Sequence, residues 1–161
     1  MDKIDKSILE SLQKNARIKN STLARTLDLP PTTLQERIKR LEKNKIIKGY
    51  RAEIGYEKLG LNVQAFVAVT LNRHEPNDIR EFEKGIRNLP NIRECFHLSG
   101  RFDYLLHVMV KDLPELGELV KKGITALPDF GRCETFLVFS EVKSNGDWLL
   151  DPPSLEKSDQ T

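Results

Sequence analysis

The sequence is poor in the features that secretion, membrane insertion and metal binding usually require. It has only two cysteines, Cys95 and Cys133, far apart and without a CxxC pair, which favours reduced thiols over a disulfide framework. No apolar run approaches the length of a membrane span or of a signal-peptide core. These absences predict a cytoplasmic protein without a membrane partner.

Signatures of catalysis are missing as well. The sequence contains no GxSxG, HExxH or GxxxxGK[ST] motif and no GxGxxG after a predicted strand. Cys95 and His97 share one face of a predicted strand with His107 on the next, but no fourth ligand follows at a recognised spacing, so core or interface positions are the favoured interpretation. We therefore expect no enzyme activity, no catalytic residues, no metal and no organic cofactor.

The charge of the chain is unevenly distributed. The 161 residues are 39% hydrophobic and 31% charged, which is ordinary for a globular protein. Residues 1–51 hold 13 Lys/Arg and 6 Asp/Glu, a formal +7, whereas residues 52–161 carry −5. A basic segment beside an acidic one is typical of a polyanion-binding module joined to a module with another task. The charge pattern places a boundary near residue 55.

The basic segment has the pattern of a helix-turn-helix. Apolar periodicity predicts three helices. The first covers residues 2–14, the second ends near Leu27, and the third begins at Pro31. Asp28 falls in the turn, where a positive φ is common and Asp tolerates it well. Pro30 falls at the cap of the third helix and has no side-chain oxygen, and the missing cap should cost about 1 kcal/mol.

The third helix is predicted to enter the major groove of double-stranded DNA. Leu34, Ile38 and Leu41 form its packing face, and most of its other side chains are polar or basic. A solvated basic face is the alternative, and for Arg37 a second alternative is bracing the helix against an acidic neighbour. The predicted base-edge contacts are Thr32, Thr33 and Gln35, the predicted phosphate or guanine contacts are Arg37 and Arg40, and the predicted phosphate contacts are Lys39 and Lys43.

The second half of the chain alternates strands and helices in the order β-α-β-β-α-β. This is the ferredoxin-like, split-βαβ order. The predicted strands are apolar on both faces, and two helices can cover only one face of a four-stranded antiparallel sheet. A second copy of the chain is the economical cover for the other face. The predicted strands are 62–72, 92–98, 102–110 and 132–143, and the predicted helices are 76–88 and 113–126.

With these elements in place, the chain resembles the Lrp/AsnC family of feast/famine transcription regulators, and its leucine-responsive branch in particular. The resemblance covers essentially the whole chain. The residues that carry it are Asp5, Ile8-Leu9, Leu12, Arg17, Leu23-Ala24, Leu29, Arg37-Ile38, Leu41-Glu42, Ile47, Gly49-Tyr50, Cys95, Ser99-Gly100-Arg101-Phe102-Asp103-Tyr104-Leu105-Leu106, Leu127-Pro128, Thr135 and Glu141-Val142-Lys143.

The resemblance implies an α+β chain with a winged-type helix-turn-helix domain and a C-terminal ferredoxin-like RAM domain. We expect the first domain over 1–50, a linker strand over 51–61, the oligomerisation and effector domain over 62–144 and a tail over 145–161. Trp148 is predicted to be a packing anchor, and the tail is expected to be disordered beyond about Leu155. The implied function is sequence-specific regulation by a homo-oligomer, a dimer or an octamer, modulated by an amino acid bound between subunits.

The hairpin after the second strand is the expected effector site. On residue chemistry alone it is an ordinary turn, in which Gly and Asp belong. The resemblance instead implies that backbone N–H groups near Gly100 hold an α-carboxylate and that Asp103 accepts an α-ammonium. The expected effector is leucine or another small amino acid. The expected effector-binding residues are Ser99, Gly100, Asp103, Thr135 and Phe136.

Three positions depart from the family pattern. Pro30 replaces the usual capping Ser, Asp28 replaces a usual turn Gly, and Arg101 stands where acidic or small residues are common. The third departure leaves the effector open. The alternative function is a small-molecule-binding protein of AsnC type, or an enzyme resembling sirohaem decarboxylase, with a vestigial helix-turn-helix. The retained basic face of the third helix favours the regulator.

Overall fold

The computed structural model describes residues 1–143, and their contacts form two units, Met1–Glu53 and Ile54–Val142. The expectations about Trp148 and about the tail beyond Leu155 concern residues outside this described range. Within it, none of the helices combines the length and the apolar character that crossing a bilayer demands.

The first unit is built from three helices, α1 (Lys3–Lys14), α2 (Asn20–Thr26) and α3 (Pro31–Lys43). A reciprocal capping box starts α1, because Asp2 accepts from the Asp5 N–H and Asp5 accepts from the Asp2 N–H. The apolar faces of the three helices meet in one small core. Its buried side chains are Ile8, Leu23, Ala24, Leu34, Ile38 and Leu41.

The turn between α2 and α3 follows the sequence prediction. Asp28 has a φ of 52°, the left-handed conformation expected there. Pro30 is the N-cap of α3 and offers no side-chain hydrogen bond, and Pro31 is the first helical residue. The helix-turn-helix therefore forms without a capping side chain at its second helix.

The segment over 51–61, which the sequence predicts as a linker strand, contains no strand in the described chain. After α3 the described chain contains no strand before Val63, and residues 46–55 are irregular. A short 3₁₀ turn at Tyr56–Leu59 follows, inside the segment predicted as a linker strand. A strand needs a neighbour to receive its backbone N–H and C=O groups, and residues 51–61 have no such neighbour within the described chain.

The second unit is a four-stranded antiparallel sheet with helices on one face, as predicted. The sheet order is β2-β3-β1-β4, which places Cys95 and Cys133 on opposite edges, and both cysteines are free. The elements are β1 (Val63–Leu71), α4 (Pro76–Arg87), β2 (Ile92–His97), β3 (Tyr104–Val110), α5 (Leu113–Glu118) and β4 (Phe130–Leu137).

Two predicted elements of this unit extend too far toward the C-terminus. The helix predicted over 113–126 is α-helical only to Glu118 and continues as one π-helical stretch, Leu119–Ile124. The strand predicted over 132–143 ends at Leu137, which pairs with Ala65 near the start of β1. Because β1 begins at Val63, residues 139–143 have no strand partner within the described chain.

The two faces of the sheet are covered unequally. One face is buried against the helices, with Val67, Leu106 and Phe82 in its centre. The other face carries Phe66, which pairs across the sheet with Phe136 and whose ring stacks on His107. Phe136 and Phe96 are nearly half exposed in the single chain.

Candidate functional site

The outer surface of α3 presents polar and basic side chains. Leu34, Ile38 and Leu41 are buried beneath it, so the helix is fixed with one face inward. On its other faces Thr32, Gln35, Lys39 and Lys43 are exposed and Thr33 is half-buried. These five predicted DNA contacts are thus available on one helix.

Arg37 and Arg40 have acidic partners on α1. Arg37 Nη1 lies 2.6 Å from Asp2 Oδ2 and 2.9 Å from Asp5 Oδ1, and Arg40 Nη2 lies 2.9 Å from Asp5 Oδ2. Asp5 is only 3% exposed, whereas the Arg37 and Arg40 side chains are 21% and 54% exposed. The Asp5 N–H bond and the Arg37 guanidinium lower the pKa of Asp2, and the two carboxylates raise the pKa of Arg37. This cluster, named here the α1–α3 clamp, favours a bracing role for Arg37.

Sequence reasoning did not identify Asp5 as the centre of the clamp. The pattern showed Asp2 and Asp5 at the start of α1, where a helix dipole favours acids. It did not show that α3 crosses close to that end. The available signal was the pair of arginines one turn apart on α3 beside the packed face.

The β2–β3 hairpin is tied to the end of β1 through Asp103. The Asp103 carboxylate accepts a 2.7 Å bond from the Leu71 N–H and lies 2.9 Å from His74 Nε2. Burial alone would raise the pKa of Asp103, but the bonds from Leu71 and His74 outweigh burial and lower it. Gly100, at the tip of the hairpin, has a φ of 144°, which favours glycine. Asp103 thus holds the hairpin in place, and sequence reasoning missed His74 as its partner.

The hairpin also reaches β4. Arg101 Nη2 lies 2.8 Å from Glu134 Oε2, and its guanidinium sits 4.5 Å above the Phe102 ring. Glu134 immediately precedes Thr135, so this ion pair brings the hairpin alongside the predicted effector residue on β4. Thr135 and Phe136 are consecutive on one strand and therefore face opposite sides of the sheet. One ligand held by a single chain would not contact both side chains.

The residues considered for a metal site serve packing. Among residues 1–143 no three His, Cys, Asp or Glu side chains converge as a metal would require. His97 stacks on Tyr104 with ring centroids 4.8 Å apart, and His107 Nε2 lies 2.7 Å from Gln64 Nε2. Burial, aided by the negative charge of Glu83, raises the pKa of the Cys95 thiol to about 11. At neutral pH that thiol stays protonated and is a poor nucleophile.

Comparisons with known proteins identify both units. Residues 1–42 match the AsnC-type helix-turn-helix domain, and residues 64–148 match the Lrp/AsnC ligand binding domain. The leucine-responsive regulatory protein of Escherichia coli strain K12 is 37% identical over 145 residues, which is 90% of this chain and 88% of that protein.

Solved structures agree with the sequence relatives. A transcriptional regulator from Neisseria meningitidis in complex with L-Met is 30% identical, with a TM-score of 0.85, covering 89% of this chain and 93% of that one. LrpC from Bacillus subtilis is 32% identical, with a TM-score of 0.79, covering 89% of this chain and 98% of that one. The chain therefore belongs to the Lrp/AsnC family of transcription regulators, with an AsnC-type helix-turn-helix domain and an Lrp/AsnC ligand-binding domain.

Proposed function

We propose that this protein is a cytoplasmic, homo-oligomeric transcription regulator that binds specific DNA sequences through α3 and is modulated by an amino acid bound to its second unit. The observation that carries the proposal is the exposed row of polar and basic side chains on α3, above a fully packed apolar face. Such a face on the second helix of a helix-turn-helix suits the major groove.

The clamp divides the predicted DNA contacts into two groups. Thr32, Thr33 and Gln35, near the start of α3, contact base edges, while Lys39 and Lys43 contact phosphates. Arg37, with two carboxylate partners, positions α3 rather than reading bases. Arg40 has about half of its side chain exposed, so it contributes both to the clamp and to the phosphates.

The DNA proposal is tested by fluorescence anisotropy of labelled duplex DNA across a range of salt concentrations. Binding should weaken steeply with salt, because phosphate contacts release counterions. Replacing Lys39 and Lys43 together with Ala should reduce the slope of log K against log salt by about 2. The matched control replaces two exposed cations of the second unit, Arg80 and Lys121, with Ala and should leave the slope unchanged. A salt-independent affinity, or no binding at low salt, contradicts the proposal.

The open face of the sheet supports self-association. Phe66, Phe96 and Phe136 give it an apolar centre that a single chain leaves partly exposed. A second copy packed on this face would bury those rings and present two α3 helices to one duplex. Light-scattering mass should show a dimer or an octamer, and Phe136→Glu should lower that mass. A strictly monomeric wild-type particle would contradict this part of the proposal.

The β2–β3 hairpin supports amino-acid binding. Its backbone N–H groups at Ser99 and Gly100 suit an α-carboxylate, and Asp103 retains acceptor capacity for an α-ammonium beside its bonds to Leu71 and His74. Thr135 and Phe136 lie on opposite faces of β4, so the full set of five requires two subunits. The similar regulator from Neisseria meningitidis forms a complex with L-Met, so leucine and methionine are the first ligands to test.

Calorimetry with leucine and methionine tests the effector. Asp103→Ala should weaken binding, whereas His74→Ala, which removes a partner of Asp103 but no ligand contact, should have a smaller effect. Unchanged binding by Asp103→Ala rules out the ammonium assignment. The amino acid alters DNA occupancy only if its affinity differs between two assembly states, so light scattering with and without ligand should show a shift in mass.

A further inference from the structure

The first unit contains an apolar groove that none of residues 1–143 fills. It has a volume of about 430 Å³ and runs between the C-terminal half of α1 and residues 46–51. Leu9, Leu12 and Ile47 form its floor, and each is only partly buried against the core. Tyr50 is about half exposed beside it. We refer to this feature as the α1 groove.

One wall of the α1 groove is a stretch of chain whose backbone groups bond to none of residues 1–143. Within the described part of the chain, the N–H and C=O groups of residues 48–51 take part in no hydrogen bond. The Tyr50 hydroxyl donates to Glu42, which fixes the wall to α3. Such a stretch can add an extended peptide through main-chain bonds, while apolar side chains of that peptide enter the groove.

The rim of the α1 groove is positively charged. Lys48 and Arg51 line it, both are exposed, and neither forms an ion pair with another residue in the range 1–143. The groove therefore combines an apolar lining with two cationic side chains from one wall.

The chain itself supplies a segment of matching chemistry. Eighteen residues follow Lys143, and among them Trp148, Leu149 and Leu150 are consecutive apolar residues between Asp147 and Asp151. Charge and apolar content both complement the groove.

We propose that residues 147–151 of this chain dock in the α1 groove, with the Trp148 side chain against Leu9 and Leu12 and the two aspartates beside Lys48 and Arg51. The docked segment covers apolar surface that the small core of the first unit leaves open. It thereby couples the stability of the DNA-reading unit to the C-terminal end of the chain. The inference does not depend on DNA or amino-acid binding.

Trp148 is the only tryptophan in the sequence, so its fluorescence reports on docking directly. In the full-length wild-type protein we expect blue-shifted emission and protection from acrylamide. Lys48→Glu combined with Arg51→Glu should red-shift the emission and lower the ratio of docked to free segment about tenfold, which corresponds to about 1.4 kcal/mol. Arg80→Glu combined with Lys121→Glu is the matched control and should leave the emission unchanged.

Charge restoration makes the test specific. Adding Asp147→Lys and Asp151→Lys to the variant with Lys48→Glu and Arg51→Glu, called the reversed groove, should restore the protection of Trp148 from acrylamide. The same pairs then form with opposite signs. Emission in the native wild-type protein equal to that in the unfolded chain would overturn the proposal, and so would indifference to the reversed groove. Finally, the reversed-groove protein is mixed with a Trp148→Phe chain that has an intact groove. Protection of Trp148 in that mixture would show docking on a second copy and would overturn docking within one chain.

Discussion

The two units of this protein are stabilised in different ways. The helical unit buries six apolar side chains and one carboxylate, that of Asp5. The sheet unit buries fourteen apolar side chains, and within residues 1–143 Asp5 is the only buried residue that carries a charge. The position of α3 on α1 in the helical unit therefore depends on ion pairs, while the larger core of the sheet unit depends on packing.

This difference predicts different responses to salt and pH. Ion pairs near the surface weaken as ionic strength rises, whereas apolar burial does not depend on screening. The orientation of α3 should thus be sensitive to solution conditions that leave the sheet intact.

The largest effect is expected in the core of the sheet unit. Phe82 is fully buried, and its ring lies 4.9 Å from the Tyr104 ring. Phe82→Ala should lower the free energy of unfolding of that unit by about 3 to 5 kcal/mol, because it leaves a cavity under the sheet. Hydrogen exchange of β1 and β3 amides measures the change. Phe139→Ala is the matched control, since Phe139 is 98% exposed and its loss should change stability by less than about 0.5 kcal/mol.

A smaller but localised effect is expected in the clamp. Asp5→Asn keeps the shape of the side chain and removes the charge that Arg37 and Arg40 face. The free energy of unfolding of the helical unit should fall by about 2 kcal/mol, as expected for hydrogen bonds to charged groups. Exchange rates of α1 and α3 amides should rise while those of the sheet stay constant. Glu10→Gln, on the same helix, is the control.

The salt dependence of the Asp5→Asn variant shows whether charge attraction causes its loss of stability. If the clamp acts through charge, the difference between wild type and Asp5→Asn should shrink at 1 M salt. The deficit of Phe82→Ala should persist at the same salt concentration. Equal deficits for Asp5→Asn at low and high salt would mean that the short hydrogen bonds of the buried Asp5 carboxylate, and not a screened charge attraction, carry the contribution.

In the sheet unit, one carboxylate provides a pH-dependent contribution. The pKa of Asp103 is lowered in the folded state by the Leu71 N–H and by His74. Its stabilisation is therefore complete above the unfolded pKa of about 4 and is lost as pH falls through the lowered folded pKa. Asp103→Asn should lower the free energy of unfolding by about 1 kcal/mol at pH 7 and by progressively less in more acidic solution. Urea unfolding at several pH values measures this, and a constant cost would contradict it.

Periodicity and turn chemistry were sufficient to predict most of this fold. The three-helix order, the positive φ of Asp28 and the β-α-β-β-α-β order all follow from local signals. The end of β4 at Leu137 did not, because it depends on where the partner strand β1 begins. Residues 51–61 form no strand within the described chain, and no local signal reports whether a pairing partner exists.

The candidate sites were less accessible to sequence reasoning than the fold. Composition identified the basic helix and predicted a phosphate contact for Lys39, but it left open whether Arg37 contacts DNA or braces the helix. The structure shows that the two side chains differ in their partners, because Asp5 approaches from a helix more than thirty residues away. The bonds of Asp103 to Leu71 and His74 are likewise tertiary. Long-range partners decide which polar residues remain free for a ligand.

The smallest stability effect, and the finest test of the comparison, concerns two neighbours on α3. Lys39→Gln should leave stability within about 0.5 kcal/mol of wild type and reduce the salt slope of DNA binding by about 1, because Lys39 is exposed and acts on phosphate. Arg37→Gln should instead destabilise the helical unit and leave the slope nearly unchanged, since Asp2 and Asp5 hold its guanidinium. Anisotropy and urea unfolding on both variants measure the two quantities. If Arg37→Gln lowers the slope without loss of stability, the clamp is dispensable and Arg37 contacts DNA directly.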